Sequence, residues 1–227
     1  MTGKFICFEG LDGSGKTTIA KNVAEQLKKT NDKVIFLNKK EVSFNTGYVD
    51  NHMSTIKKIL WDYAPDDPLG ELGDLHWLHL NLSWFSVLEQ CKIKPLLNSS
   101  YTIIMDNWYY KLFARYTLKN NFDQELTKKS FQSLLKPDIT IFLDVDPYVA
   151  VKRRDNISIT ESGNMDGLNG KTTTNFITYQ SMVRGVLNDF CNEQKWKKFF
   201  IDHNTEEEIT NKACKILSME NLQGSVT

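Results

Sequence analysis

Two glycines five residues apart, followed at once by lysine and threonine, are the residues best placed to do chemistry here. They form Gly10-Leu11-Asp12-Gly13-Ser14-Gly15-Lys16-Thr17, with Thr18 next. The spacing suits a phosphate cradle in which Gly10, Gly13, Ser14 and Gly15 bring backbone amides to phosphate oxygens at a helix N-terminus. Lys16 adds a charge between the outer phosphates of ATP, and Thr17 offers a hydroxyl to Mg²⁺. Asp106, closing the apolar run YTIIM, suits a second carboxylate on the metal side, although a strand-end aspartate also caps helices. Asp12 points from within the loop toward an acceptor, where it either orients a hydroxyl or stands as a solvated acid. His76 and His79 lie three apart on a helical stretch but lack a third metal ligand.

These residues need a scaffold, and the chain can supply one. Its 227 residues, 41% hydrophobic, suffice for a sizeable core and predict one domain over residues 1–227. The 28 basic residues balance 28 acidic ones, so no global field draws the chain to a nucleic acid polymer or a membrane. Any anion site must be local. The four cysteines, Cys7, Cys91, Cys191 and Cys214, form no Cys-x-x-Cys pair and read as reduced thiols in a cytoplasmic protein. No leader-like segment and no apolar run of about eighteen residues occurs.

Five short apolar runs predict the strands: Lys4 to Glu9, Lys33 to Leu37, Tyr101 to Met105, Ile139 to Leu143 and Phe199 to Ile201. Between them, helical spacing runs from Thr17 to Lys29, over residues 53–61, from Leu75 towards Leu97, from Tyr148 to Arg154, from Asn175 to Asn192 and from Thr205 to Leu217. The alternation predicts an α/β fold with a parallel sheet and ligands at the carboxyl ends of its strands. Ala64 to Gly73 reads as a loop, and Asp155 to Thr174, almost without apolar residues, as a mobile lid.

FICFEGLDGSGKTT, IKPLLNSSYTIIMDNW, PDITIFLDVDPYVAVKRR, YQSMVR and FFIDHNTEEEI follow one another in the order and spacing of the thymidylate kinase family. The chain resembles that family over nearly its whole length. The resemblance implies a P-loop kinase fold with a five-stranded parallel sheet, phosphorylation of dTMP by ATP and Mg²⁺, and a homodimer. It places Lys16, Thr17 and Asp106 at the phosphate and metal positions, Asp12 near the acceptor sugar, and Arg153 or Arg154 near the adenine. Aligning Tyr179 and Arg184 without gaps puts Lys171 where a lid arginine reaches the transferred phosphate.

The departures concern the acceptor. Asn107 and Trp108 follow Asp106 where the family carries an arginine and an aromatic residue. Asn81 falls on the base-stacking phenylalanine and Phe85 on an acceptor-binding arginine, while Asn38-Lys39-Lys40-Glu41 replaces a third arginine. A monophosphate brought beside ATP without nearby cations would meet repulsion of several kcal/mol. Lys111, Arg115, Lys39 or Lys40 are the candidates to replace the lost charge, Arg115 being one of only four arginines in the chain. Phe85 and Trp108 are candidates for an apolar acceptor wall. Three readings stay open: a nucleoside monophosphate kinase, a kinase of a nucleoside or specialised metabolite, and a nucleotide-binding regulator without catalysis.

Overall fold

A computed structural model describes residues 3–64 and 67–223. The expected loop from Ala64 to Gly73 lies partly outside these residues, at positions 65 and 66; its remainder holds a short 3₁₀ turn, Leu69–Leu72. Five strands form one parallel sheet: β1 (Phe5–Gly10), β2 (Val34–Asn38), β3 (Thr102–Asp106), β4 (Ile139–Asp144) and β5 (Lys197–Phe200). The spatial order is β2-β3-β1-β4-β5. All six residues of β1 are buried, as a central strand covered by helices on both faces requires.

The helices are α1 (Lys16–Lys28), α2 (Gly47–Trp61), α3 (Gly73–Leu88), α4 (Lys94–Asn98), α5 (Tyr110–Thr117), α6 (Gln124–Gln132), α7 (Pro147–Val151), α8 (Thr173–Glu193) and α9 (Glu206–Gln223). α6 was not among the expected helices, α9 runs past the expected Leu217, and three others differ more. α2 begins at Gly47, well before residue 53, with Asp50 in its first turn accepting from the Phe44 amide at 2.6 Å. The long helix after Gly73 is broken by a π-helical turn over Glu89–Ile93 before α4 continues it. Pro95 lacks the N–H that an α-helical turn needs, and the wider turn just before it absorbs that defect. α7 is shorter than expected, ending at Val151.

Register brings the chemistry together. Phe8 pairs with Asp106, Asn38 pairs with Asp106, and Gly10 pairs with Leu143. Because β1 sits between β3 and β4, the loop after Gly10 opens at the point where connections leave in opposite directions, which is where ligands bind in such sheets. The other side of β4 is held by charge: buried Asp144 pairs with Arg184 of α8 at 2.5 Å and Lys198 of β5 at 2.9 Å. Arg184 is therefore a structural tie behind the sheet.

The segment between α7 and α8 carries buried polar anchors that its composition does not suggest. Glu161 and Ser162 are buried; Glu161 accepts from Arg154 at 2.5 Å and from the Ser158 amide at 3.1 Å. Gln180 of α8 donates to the Glu161 carbonyl at 2.9 Å, and Asp166 meets both Lys119 and the Tyr179 hydroxyl. Polar anchors do here what apolar residues do elsewhere. Among the described residues, no helix is long and apolar enough to cross a membrane.

Candidate active site

The loop from Gly10 to Lys16 is shaped before any ligand arrives. Gly15 holds φ +75° at the start of α1, and a Cβ built there would meet nothing within 4 Å, leaving an open cradle. Gly13, at φ +83°, packs so closely on α7 that a Cβ would lie 2.5 Å from the Ala150 carbonyl oxygen. Lys16 is buried and donates to the Leu11 carbonyl at 2.8 Å, so its ammonium is already turned into the loop. Thr17 Oγ1 donates to Asp106 Oδ2 at 2.5 Å. Asp106 Oδ1 and Ser14 Oγ are buried without a hydrogen-bond partner. A buried, orphaned carboxylate oxygen beside a threonine hydroxyl fits a hard divalent cation such as Mg²⁺, which is held by few carboxylates plus phosphates. Among the described residues no group of three or more His, Cys, Asp or Glu side chains forms a metal site, so His76 and His79 stay without a third ligand.

Two cavities meet at this loop. One, of about 640 Å³, is lined by Gly13, Gly15, Lys16, Thr17, Thr18, Asp106 and Arg153, whose guanidinium lies 3.4 Å from the Gly13 carbonyl. The other, of about 380 Å³, is lined by Asn81, Phe85, Trp108, Arg115 and the lid residues Ser158, Thr160 and Glu161. Asp12, Lys39, Asn107 and Lys111 line both. A smaller inner cavity, about 130 Å³, continues from the second past Trp61, Tyr63, Asn81 and Arg115 to Trp77 and Tyr116.

Cations crowd the second cavity. Asp12 is gripped by Lys111 at 2.5 Å and by Arg115 at 3.0 Å, both from α5. Burial pushes the Asp12 carboxyl up, but Lys111, Lys16 and Arg115 outweigh it and hold the group well below the usual carboxylate range. It is ionised. Lys39 follows β2, its carbonyl fixed by the Trp84 indole at 2.8 Å. With the Asn107 amide turned to satisfy both neighbours, Asn107 donates to Glu9 Oε2 at 3.2 Å and accepts from Lys39 Nζ at 2.8 Å. Asn107 sits at φ +65°, a left-handed conformation that asparagine tolerates better than most residues. Glu9 is fully buried, accepts from the Trp108 amide at 2.8 Å, and has its pKa raised chiefly by burial.

The family model of thymidylate kinase matches residues 8–212. The chain belongs to the thymidylate kinase family. It is a P-loop kinase, a phosphotransferase of a family that uses ATP as donor. Among similar thymidylate kinases, that of Plasmodium falciparum is 31% identical over 153 residues, 67% of each chain. A probable thymidylate kinase of Staphylothermus marinus is 32% identical over 158 residues, 69% of this chain and 70% of the other. In fold, the thymidylate kinase of Candida albicans superposes with a TM-score of 0.66 at 21% identity, covering 97% of this chain and 93% of that one.

Within this thymidylate kinase fold, Asp12, Gly13, Gly15, Lys16, Thr17, Thr18, Asp106 and Arg153 converge on the first cavity, and Asn81, Phe85, Asn107, Trp108 and Arg115 all line the second. Phe85 and Trp108 pack edge to face at 4.9 Å, both nearly buried, so they are core residues that show one edge to the cavity. Asn81 spends its amide on the Trp77 carbonyl at 2.7 Å. Lys171 is exposed just before α8 and lines none of these cavities. Arg154 lines the loop cavity instead. Sequence reasoning missed Tyr63, Ser158, Thr160 and Glu161, which carry no motif and reach the site only through the path of the chain.

Proposed function

We propose that this protein is an ATP- and Mg²⁺-dependent nucleoside monophosphate kinase, with dTMP as its default acceptor. The observation that carries this reading is the cation set at the acceptor cavity: Lys39, Lys111 and Arg115 line it and offer charge to replace the arginines that the sequence lacks. Such a set offsets the repulsion between an acceptor phosphate and the donor's outer phosphates, and it would be a costly feature beside an uncharged acceptor. The aromatic inner cavity, with Trp61, Tyr63, Trp77 and Tyr116, supports a flat base.

In the reaction, an acceptor phosphate oxygen forms the new bond to the donor's γ-phosphorus while the bond to the β–γ bridging oxygen breaks, and ADP leaves with that electron pair. No base is needed, since a phosphate monoester with a second pKa near about 6 is already a dianion at neutral pH. Lys16 and the loop amides hold the donor phosphates, and Thr17 and Asp106 would hold the metal. When bound, Mg²⁺ neutralises charge on the donor's phosphate oxygens. Asp12 fixes Lys111 and Arg115 in place and faces the acceptor sugar. The family resemblance also implies a homodimer, which sedimentation equilibrium tests.

The test of function is ADP release with MgATP against dTMP, other nucleoside monophosphates, thymidine and a metabolite pool, with Lys16→Ala as blank. Turnover of dTMP above all others supports the reading. Lys16-dependent turnover of thymidine or an uncharged metabolite alone would replace it with the small-molecule kinase, and no turnover of any acceptor with intact ATP binding would leave a regulator.

A further inference from the structure

Four cations line the acceptor cavity, but they are not equivalent: Lys40 lies over the Trp61 ring, 5.0 Å from its centre. Lys111 and Arg115 spend their charge on Asp12, at 2.5 and 3.0 Å. Lys39 is held instead by a neutral partner, the Asn107 side-chain oxygen, at 2.8 Å. Its position is fixed from several sides. The β2–β3 register sets Asn38 against Asp106, the Trp84 indole holds the Lys39 carbonyl at 2.8 Å, and Asn38 closes a turn by accepting from the Lys40 amide at 2.9 Å. Lys39, like Lys111, lines both the loop cavity and the acceptor cavity, and of these two it is the one not paired with Asp12.

We propose that Lys39 is a catalytic residue, the cation that accompanies the phosphoryl group from donor to acceptor, held on the boundary by Asn107. This rests on the monophosphate kinase reading above and assigns one of its cations a distinct task. Lys111 and Arg115 bind the acceptor equally well before and during transfer. Lys39, with its charge uncompensated by a carboxylate in direct contact, gains most when negative charge spreads over the moving group's equatorial oxygens. Asn107 is a positioning residue: its amide bridges Lys39 to buried Glu9, which keeps the ammonium from turning toward Asp12 or Asp106.

The experiment compares Lys39→Met, Lys39→Arg and Asn107→Ala with the wild type under saturating MgATP and dTMP, and measures MgATP affinity by calorimetry. Lys39→Met is expected to lower kcat by about 100-fold, as loss of one preorganised transition-state donor does, with MgATP affinity changed by less than about threefold. Lys39→Arg, which keeps the charge, should recover at least about tenfold of that loss. Asn107→Ala should lower kcat more than it raises the KM for dTMP. A kcat for Lys39→Met within about threefold of wild type overturns the proposal, as does a loss that Lys39→Arg fails to restore. If Lys39→Met does not fold, Lys39→Gln carries the same test. If the wild type turns over no monophosphate, the functional reading falls, and Lys39 is judged on slow MgATP hydrolysis to water. There, a rate unchanged in Lys39→Met overturns the proposal and a tenfold loss, roughly what one general charge contact gives, supports it.

Discussion

Lys39 is half-buried, and its surroundings set its charge. Burial lowers its pKa first, Lys16 lowers it further, and Arg115 adds to that, while Asp12 and Asp106 pull the other way; the balance leaves it at about 8. The ammonium is thus present below about pH 8 and lost as pH rises through that value. The proposed acceptor, dTMP, is a dianion throughout, its second pKa lying near about 6. Binding of dTMP to the nucleotide-free protein should therefore weaken between pH 7 and pH 9, read as a rising Kd in calorimetry, and Lys39→Arg should remove the part of that profile due to Lys39, burial lowering the neighbouring Lys111 as well. A flat wild-type profile would mean that the acceptor phosphate does not rest on Lys39. At this scale the sequence was legible where types and spacing carry the chemistry. Lys16 and Thr17 were readable because a cradle carries them side by side, and Asp106 because it closes an apolar run, and all three line one cavity. Lys39 was only one name among several, because its partner, Asn107, is distant in sequence and the register that joins them is a property of the sheet.

The π-helical turn at Glu89–Ile93 ties two distant parts of the chain together. It aims buried Glu89 across the molecule, where Oε2 accepts from the Leu135 amide at 2.7 Å. The Leu135 carbonyl then accepts from the Trp108 indole at 2.9 Å. One irregular turn thus props the loop before β4, and through it the ring beside Asn107. Replacing Glu89 with alanine strands the Leu135 N–H and should cost about 1–3 kcal/mol. A lower urea midpoint with unchanged slope would register it. A midpoint equal to wild type would mean that water replaces the carboxylate. The lid makes a parallel case. Glu161→Ala removes the acceptor for Arg154 and for the Ser158 amide, so cleavage by trypsin after Arg154 should quicken, with dTMP slowing it again. Strands and long helices were readable from their periods. The polar anchors of the lid were not readable, because composition scores buried polar pairs as solvated.

Across the whole molecule, charge is neutral in sum and uneven in place. The 28 acidic and 28 basic residues cancel, while Lys39, Lys40, Lys111 and Arg115 gather at one cavity. Added salt should therefore weaken dTMP binding several-fold between low and high ionic strength and leave uncharged thymidine unaffected, measured by competition calorimetry. Equal salt response for both would argue that the acceptor phosphate does not sit among these cations. The fold class was legible because one or more helices separate each strand from the next. The order β2-β3-β1-β4-β5 was not, since it depends on which strand edges meet after collapse.

The wall shared by the two large cavities, built from Asp12, Lys39, Asn107 and Lys111, has a pharmacological consequence. Two separate ligands lose their freedom twice, whereas one molecule carrying an adenosine end and a nucleoside end on a single polyphosphate chain loses it once. Its second end arrives at an effective concentration in the millimolar range, which can raise affinity by about 10² to 10⁴ over either half without any new contact. The length of that chain is then a ruler. The tightest binder in a series of increasing phosphate number would report the distance across the wall, and with it the separation at which donor and acceptor meet.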